Sequence, residues 1–202
     1  IRFGTRINYG AEIYNQFFET ENKKINDQYK NSSYFRSFPI VGINTETPFK
    51  FKNNFKNLTY TPKLSLILTP GLSNSENISN EDSSINSYTI DSNTNYNRYT
   101  GTDKLDNSKR VNLSLNINNK NFDGNLLSTY EFTNNSNYHY SQGNEKKLSD
   151  LLGYFDLKIK NSVNSYNFRF DPHNNYMKSQ NIGTEYNNFL GNIKLSYLDE
   201  KS

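Results

Sequence analysis

The fold is decided by the segment Val111–Asn118, whose sequence is VNLSLNIN. Val, Leu, Leu and Ile occupy every second position, and Asn or Ser fills each position between them. Successive side chains of a β-strand point to opposite faces of its sheet. This strict alternation therefore predicts a strand with one apolar and one polar face.

The same alternation recurs on both sides of this segment. Strong examples are Arg2–Ile13, Gly153–Ile159, Tyr166–Asp171 and Phe189–Tyr197. Weaker strand candidates are Tyr34–Asn44, Lys63–Thr69, Ser84–Ile90 and Phe122–Phe132. Long polar stretches predict loops at Thr20–Ser33, Gly71–Glu81, Ser92–Lys109 and Asn134–Lys147. No segment has a helical period, so about nine strands in an all-β, antiparallel meander are expected.

The composition narrows the classes of protein. Only 33% of the 202 residues are apolar, yet 15% are aromatic, which argues against disorder because disordered chains are poor in aromatic residues. The absence of cysteine excludes a disulfide or a thiolate metal site within these residues. The net charge of +3 is too small to indicate nucleic acid as a partner.

Two architectures fit a sheet with two different faces. In a soluble sandwich the apolar faces of two sheets pack together, whereas in an outer-membrane barrel the apolar face meets lipid and the polar face lines a wet lumen. Strands near the roughly 9–11 residues of a membrane strand favour the barrel, as do the large polar loops. Aromatic residues near strand ends suit an interfacial girdle: Tyr9, Tyr14, Phe17, Phe18, Tyr130, Phe132 and Tyr197.

A polar segment before Val111 carries a more specific pattern. Its residues, in order, are Asn80, Glu81, Asp82, Ser83, Asn97, Arg98, Tyr99, Gly101, Asp103, Lys104 and Asp106. This order resembles a signature in the barrel of the LptD family of lipopolysaccharide-assembly proteins. Lys104 stands where that family usually has Arg, Asp106 where it usually has Glu, and Ser114 where it often has Gly. Looser similarities lie at Phe35–Pro39 and Tyr166–Asp171.

The resemblance implies a role in transport. It identifies residues 1–202 as an interior slice of the family's C-terminal barrel domain, without the N-terminal jelly-roll and the remaining strands. Such a protein lies in the cell outer membrane and moves lipopolysaccharide from a periplasmic bridge protein into the outer leaflet. Its barrel holds a plug lipoprotein (LptE-like). The alternatives are a passive porin or receptor-type barrel, or a soluble β-sandwich that binds a surface.

The signature also has a physical interpretation of its own. Arg98 and Asp103, with Lys104 and Asp106, are expected to form a charge network that pins a large loop inside the wall, because buried charges persist only when paired. Gly101 would supply a backbone conformation that other residues avoid. The alternative is an ordinary solvated hairpin loop with weak exposed ion pairs.

Basic residues on the polar faces suggest a second candidate site. They could give the lumen a positive lining suited to a phosphorylated glycolipid, although generic barrel lining is the competing explanation. The residues concerned are Arg2, Arg6, Lys158, Lys160, Arg169 and Lys194.

Nothing in the sequence predicts catalysis, a cofactor or a metal. There is no nucleophile elbow, phosphate-binding glycine loop or HExxH motif. His139 and His173 have no second ligand at metal-binding spacing. A protein that is not an enzyme is therefore expected.

Overall fold

The structure, a computed structural model, describes residues 4–25, 27–51, 57–70, 78, 80–84, 89–133, 147–189 and 191–200. These residues form ten strands and one short helix. In chain order they are β1 (Arg6–Ile25), β2 (Gln28–Glu46), β3 (Phe49–Phe51), β4 (Leu58–Leu68), α1 (Ile90–Thr94), β5 (Lys109–Asn118), β6 (Phe122–Glu131), β7 (Leu151–Ile159), β8 (Ser162–Asp171), β9 (Tyr176–Asn188) and β10 (Gly191–Glu200).

All ten strands belong to a single antiparallel sheet. Its order is β1-β2-β4-β5-β6-β7-β8-β9-β10, and the short β3 pairs with the start of β4. Apart from β3, each strand lies beside its neighbour in sequence, so the chain forms a meander. The predicted all-β meander of long strands is confirmed.

The largest departure from the sequence prediction is the hairpin formed by β1 and β2. Thr20–Ser33 was expected to be a loop, but both strands continue through it, with Thr20 paired to Ser32 and Ile25 to Gln28. The side chains in this part of the hairpin are mostly polar, so they show no alternation of apolar and polar residues. Backbone pairing does not require an apolar face, and the strands form without one. Only Val41–Glu46 of β2 also pairs with β4, so the upper hairpin extends past β4.

Two further strands were missed, one predicted strand is wrong, and one predicted loop falls mostly outside the described residues. β9 and β3 were not predicted, since polar residues occupy both faces of most of β9 and β3 is only three residues long. Ser84–Ile90 is not a strand where it is described: Thr89 caps α1, and Ile90 begins it. Most of the loop predicted at Asn134–Lys147 lies outside the described residues.

The strand register separates the two faces completely in the middle of the sheet. One row of paired residues, Ile43, Leu66, Val111 and Tyr130, is apolar. The adjacent row, Asn44, Ser65, Asn112 and Thr129, is polar. We call the apolar side the outer face and the polar side the inner face.

The outer face is uncovered over most of its area in the described part of the chain. Its exposed large side chains include Ile7, Ile13, Phe17, Leu113, Leu157, Ile159, Ile182, Ile193, Leu195 and Tyr197. An apolar surface of this extent marks a lipid or protein contact rather than a surface in water. Among the described residues no helix is long and apolar enough to span a membrane.

The expectation that the outer face contacts lipid makes a prediction for Leu113, which lies mid-strand on β5 and is 54% exposed. The substitution Leu113→Arg should lower the free energy of unfolding in lipid vesicles by about 2–4 kcal/mol, because it places a cation in hydrocarbon. Guanidinium unfolding followed by gel mobility of the folded form measures this loss. Ser114→Arg is the matched control, since Ser114 lines an inner-face cavity of about 290 Å³. Equal effects of the two substitutions would contradict lipid contact.

Candidate functional site: a loop anchored on the inner face

The chain between β4 and β5 folds back over the inner face of the sheet. We call its described residues 80–84 and 89–108 the inner loop. Leu105 of this loop is fully buried against Phe38, Ile40 and Ile67 of β2 and β4. Farther along the sheet, Ile90 packs on a buried pair, Leu127 of β6 and Leu152 of β7. The inner loop thus covers the inner face from β2 to β7.

Tyr96 fixes the inner loop on the β1–β2 hairpin. Gly10 and Gly42 are directly paired across these strands, and the Tyr96 ring lies over both. A Cβ atom at Gly42 would come within 2.5 Å of the ring, and one at Gly10 within 2.6 Å of its hydroxyl. Only glycine at both positions lets the ring approach the backbone this closely.

Four charged side chains join the inner loop to β5 and β6. Arg98 Nε donates to Asp106 Oδ2 at 2.5 Å, and Arg98 Nη2 donates to Glu131 Oε2 at 3.1 Å. Arg110 Nη1 donates to the same Asp106 oxygen at 2.8 Å. Each of the four side chains is at most 7% exposed. Two arginines balance two carboxylates, so the buried network is formally neutral.

Glu131 accepts further bonds at the base of the loop. The Ser108 hydroxyl contacts it at 2.8 Å, and the backbone amide of Lys109 donates to it at 3.0 Å. These bonds use the lone pairs that the Arg98 contact leaves, as a buried carboxylate requires. They also fix the point where the inner loop enters β5.

β5 contacts α1 and the two residues that follow its last residue, Thr94, through two side chains. Arg110 Nη2 donates to the carbonyl oxygens of Asn95 and Tyr96. Asn112 Nδ2 donates to the carbonyl of Asn93 at 2.8 Å. Carbonyl groups at the end of α1 and just beyond it are satisfied in this way.

The two ends of the signature are joined by an exchange of hydrogen bonds. Asp103 Oδ2 accepts from the amides of Glu81 at 2.6 Å and Asp82 at 3.0 Å. In return, Asp82 Oδ1 accepts from the amides of Thr102 and Asp103, each at 3.0 Å. Gly101 lies between them with φ 73°, where a Cβ would be 2.5 Å from Asp82.

The charged residues of the signature do not all form the single network that was expected. Arg98 pairs with Asp106, but Asp103 binds backbone amides rather than joining that network. Lys104 contributes through its backbone, whose amide donates to Ser83 Oγ. The Asn80 side chain accepts from the amide of Ser83.

Three residues that contact the inner loop were not predicted from the sequence: Arg36, Gln16 and Glu131. Arg36 Nη1 donates to the carbonyl of Asp103 at 2.7 Å and Nη2 to that of Thr102 at 2.5 Å. Gln16 contacts Arg36 and Thr102. Glu131 completes the buried network. One feature of the sequence could have indicated Arg36. It is a charged residue that shares the inner face of a predicted strand with an apolar residue, Phe38.

Three residues of the predicted basic lining form ion pairs with acidic side chains. Arg6 pairs with Glu46 at 2.6 Å, Lys194 with Glu185 at 3.0 Å, and Arg169 with Asp150 at 2.6 Å. Acidic neighbours therefore balance these cations across the inner face.

The other members of the lining differ among themselves. Lys158 lies exposed on the inner face of β7. Lys160 does not lie on a strand: it has φ 51° in the turn between β7 and β8. Arg2 lies outside the described residues.

The described residues contain no group of three or more His, Cys, Asp or Glu side chains that could hold a metal ion. His173 contacts the carbonyl of Leu148 at 2.9 Å, and His139 lies outside the described residues. The chemistry that the arrangement offers is hydrogen bonding and charge pairing that hold a loop in place.

Loss of Arg98 should release this loop. Arg98→Ala removes one of the two arginines that balance Asp106 and Glu131, so we expect the free energy of unfolding to fall by about 3–5 kcal/mol. The control is Arg6→Ala, which removes an exposed pair and should cost about 0–1 kcal/mol. Unfolding in lipid vesicles, with hydrogen exchange over the inner loop, measures both. Similar losses for the two variants would show that the buried network does not hold the loop.

Asp82 gives the loop a defined dependence on pH. The amide of Asp103 and the hydroxyl of Ser83 hold the pKa of this carboxyl well below its ordinary value of 3.8. Ionised Asp82 therefore stabilises the folded loop above about pH 4, and this contribution is lost as the pH falls below that.

Hydrogen exchange at the amides of Thr102 and Asp103 tests this dependence. Protection should be constant from about pH 7 to pH 5, after correction for intrinsic rates, and decline only below about pH 4. Asp82→Asn should lose protection at every pH, and Glu81→Gln should behave as the unaltered protein. Protection that falls between pH 7 and pH 5 would refute this role of Asp82.

Comparison with known proteins agrees with the fold and the signature. A family model described as LptD, LPS transport system D, matches residues 3–202. A comparison with curated proteins gives no match. The matched segment includes the whole described sheet and the inner loop. Because the match covers nearly the entire sequence, this chain belongs to the LptD family of lipopolysaccharide-transport proteins of the outer membrane.

Proposed function

We propose that this chain forms part of an outer-membrane β-barrel that moves lipopolysaccharide from the periplasm into the outer leaflet. The observation that carries the proposal is the family match over residues 3–202. The two-faced sheet supports it, since the outer face has the apolar surface that lipid requires and the inner face is polar.

The described sheet is open and does not close into a barrel by itself. β1 and β10 are its two edges, and neither is paired on its far side among the described residues. Unpaired edges cannot persist in hydrocarbon, where backbone groups have no water to bind. We therefore propose that residues 1–202 are a partial barrel domain that further strands close, and that the barrel lies in the cell outer membrane.

The inner loop has a specific part in this proposal. It occupies the inner face from β2 to β7 and is anchored by side chains of β2, β5 and β6. A loop held in this way narrows the lumen at the end where the long connections lie, which is the extracellular end in outer-membrane barrels. Lipopolysaccharide must then leave through the wall instead of passing straight through this end.

The proposed partners follow from the family. They are lipopolysaccharide as the cargo, a plug lipoprotein inside the barrel, and a periplasmic bridge protein that binds a separate N-terminal domain. Lys158 and the paired cations Arg6, Arg169 and Lys194 are proposed to face phosphate groups of the cargo, by charge complementarity. No catalytic step is assigned to the chain.

Depletion of the full-length protein in the cell tests the function. We expect newly made lipopolysaccharide to stop reaching the surface and to accumulate before the outer membrane, as followed by pulse-labelling and surface accessibility. Passive solute uptake, measured in the same cells, separates transport from a porin. Surface lipopolysaccharide that persists while solute uptake falls would favour the porin and overturn the proposal.

A further inference from the structure

The outer face carries a groove whose shape follows from its side chains. Ala11 is the only alanine in the chain, and it faces outward on β1 between the larger Tyr9 and Ile13. Its small side chain leaves a depression that extends across β2 to β4. The groove has a volume of about 510 Å³. It is lined by Tyr9, Ala11, Val41, Ile43, Leu66 and Leu68, with the Gly10–Gly42 pair at its floor.

A positive charge stands at one end of this groove. The strand register places Ala11, Val41, Leu68 and Lys109 in one row across four neighbouring strands. Lys109 therefore shares the outer face with the groove and lies directly beside Leu68. Its side chain is exposed, and it makes no ion pair with another described residue.

Lys109 is unusual in its position. Of the Lys and Arg side chains that the structure describes on the ten strands, it alone has an outer-face register. Next to it, Tyr130 and Phe132 form an edge-to-face aromatic pair with ring centroids 5.2 Å apart. Aromatic pairs and lysines at this level are typical of the boundary between hydrocarbon and headgroups.

We propose that this row is a docking site for a phosphorylated glycolipid of the outer leaflet, namely lipopolysaccharide itself. One acyl chain lies in the Ala11–Val41–Leu68 groove, and a phosphate of the headgroup binds the ammonium of Lys109. The groove is continuous with the lipid-contacting outer face, and Lys109 supplies the complementary charge. The choice of a glycolipid rests on the proposed function, which places the inner loop and Lys109 at the extracellular end.

Lipid retention by the full-length protein, purified in mild detergent and placed in bilayer discs, tests the site. The probes are lipopolysaccharide, dephosphorylated lipopolysaccharide, phosphatidylglycerol and phosphatidylcholine. Lys109→Glu should lower retention of lipopolysaccharide at least about fivefold, as expected for loss of one interfacial cation. Lys120→Glu makes the same change of charge in the exposed turn between β5 and β6, at the opposite end of β5, and should leave retention unchanged.

The groove is tested separately from the charge. Ala11→Leu fills the depression and should lower retention, whereas Ala11→Ser keeps its size and should not. Equal retention of phosphatidylglycerol and lipopolysaccharide would overturn the glycolipid assignment. An unchanged Lys109→Glu variant, or full retention of the dephosphorylated probe, would overturn the site.

Surface delivery of lipopolysaccharide in cells that carry these variants distinguishes the two proposals. If delivery continues while Lys109 proves irrelevant to retention, only the docking site fails. If depletion of the protein leaves delivery intact, the proposed function fails as well.

Discussion

Neutralisation of buried charge governs the arrangement of the inner loop. Four charged side chains are buried there, and each would be costly by itself: Arg98, Asp106, Arg110 and Glu131. The contacts fix the spacing between three parts of the chain: the loop, the start of β5 and the end of β6. The apolar contacts of Leu105 and the packing of Tyr96 on its glycine pair follow from that position.

Much of the sheet was predictable, because alternation is a local property of each strand. Alternation correctly predicted both the strand and its apolar face at Val111–Asn118 and at Gly153–Ile159. Alternation does not reveal a strand where polar residues occupy most of both faces. For this reason the upper part of the β1–β2 hairpin and β9 were not predicted. Those strands are specified by backbone pairing with the adjacent strand, which the side-chain pattern of a single segment does not display.

The site was predictable only in outline. The signature identified Arg98 and Asp106, but their partners Arg110 and Glu131 come from strands that the register brings together. Asp103 was expected in an ion network and instead binds amides, since its own backbone turns at Gly101 toward Asp82. Sequence shows which charges are present, whereas tertiary structure decides which of them meet.

The length of the β1–β2 hairpin has a mechanical consequence. From Val41 to Gln28 the hairpin runs roughly 40 Å beyond its pairing with β4, at the usual rise of a strand. Arg36 sits within that extension and holds the carbonyl groups of Thr102 and Asp103. Leu105 packs on Phe38 and Ile40 of the same hairpin, and Gln16 donates to the carbonyl of Thr102. A displacement of the hairpin is therefore expected to move the inner loop with it.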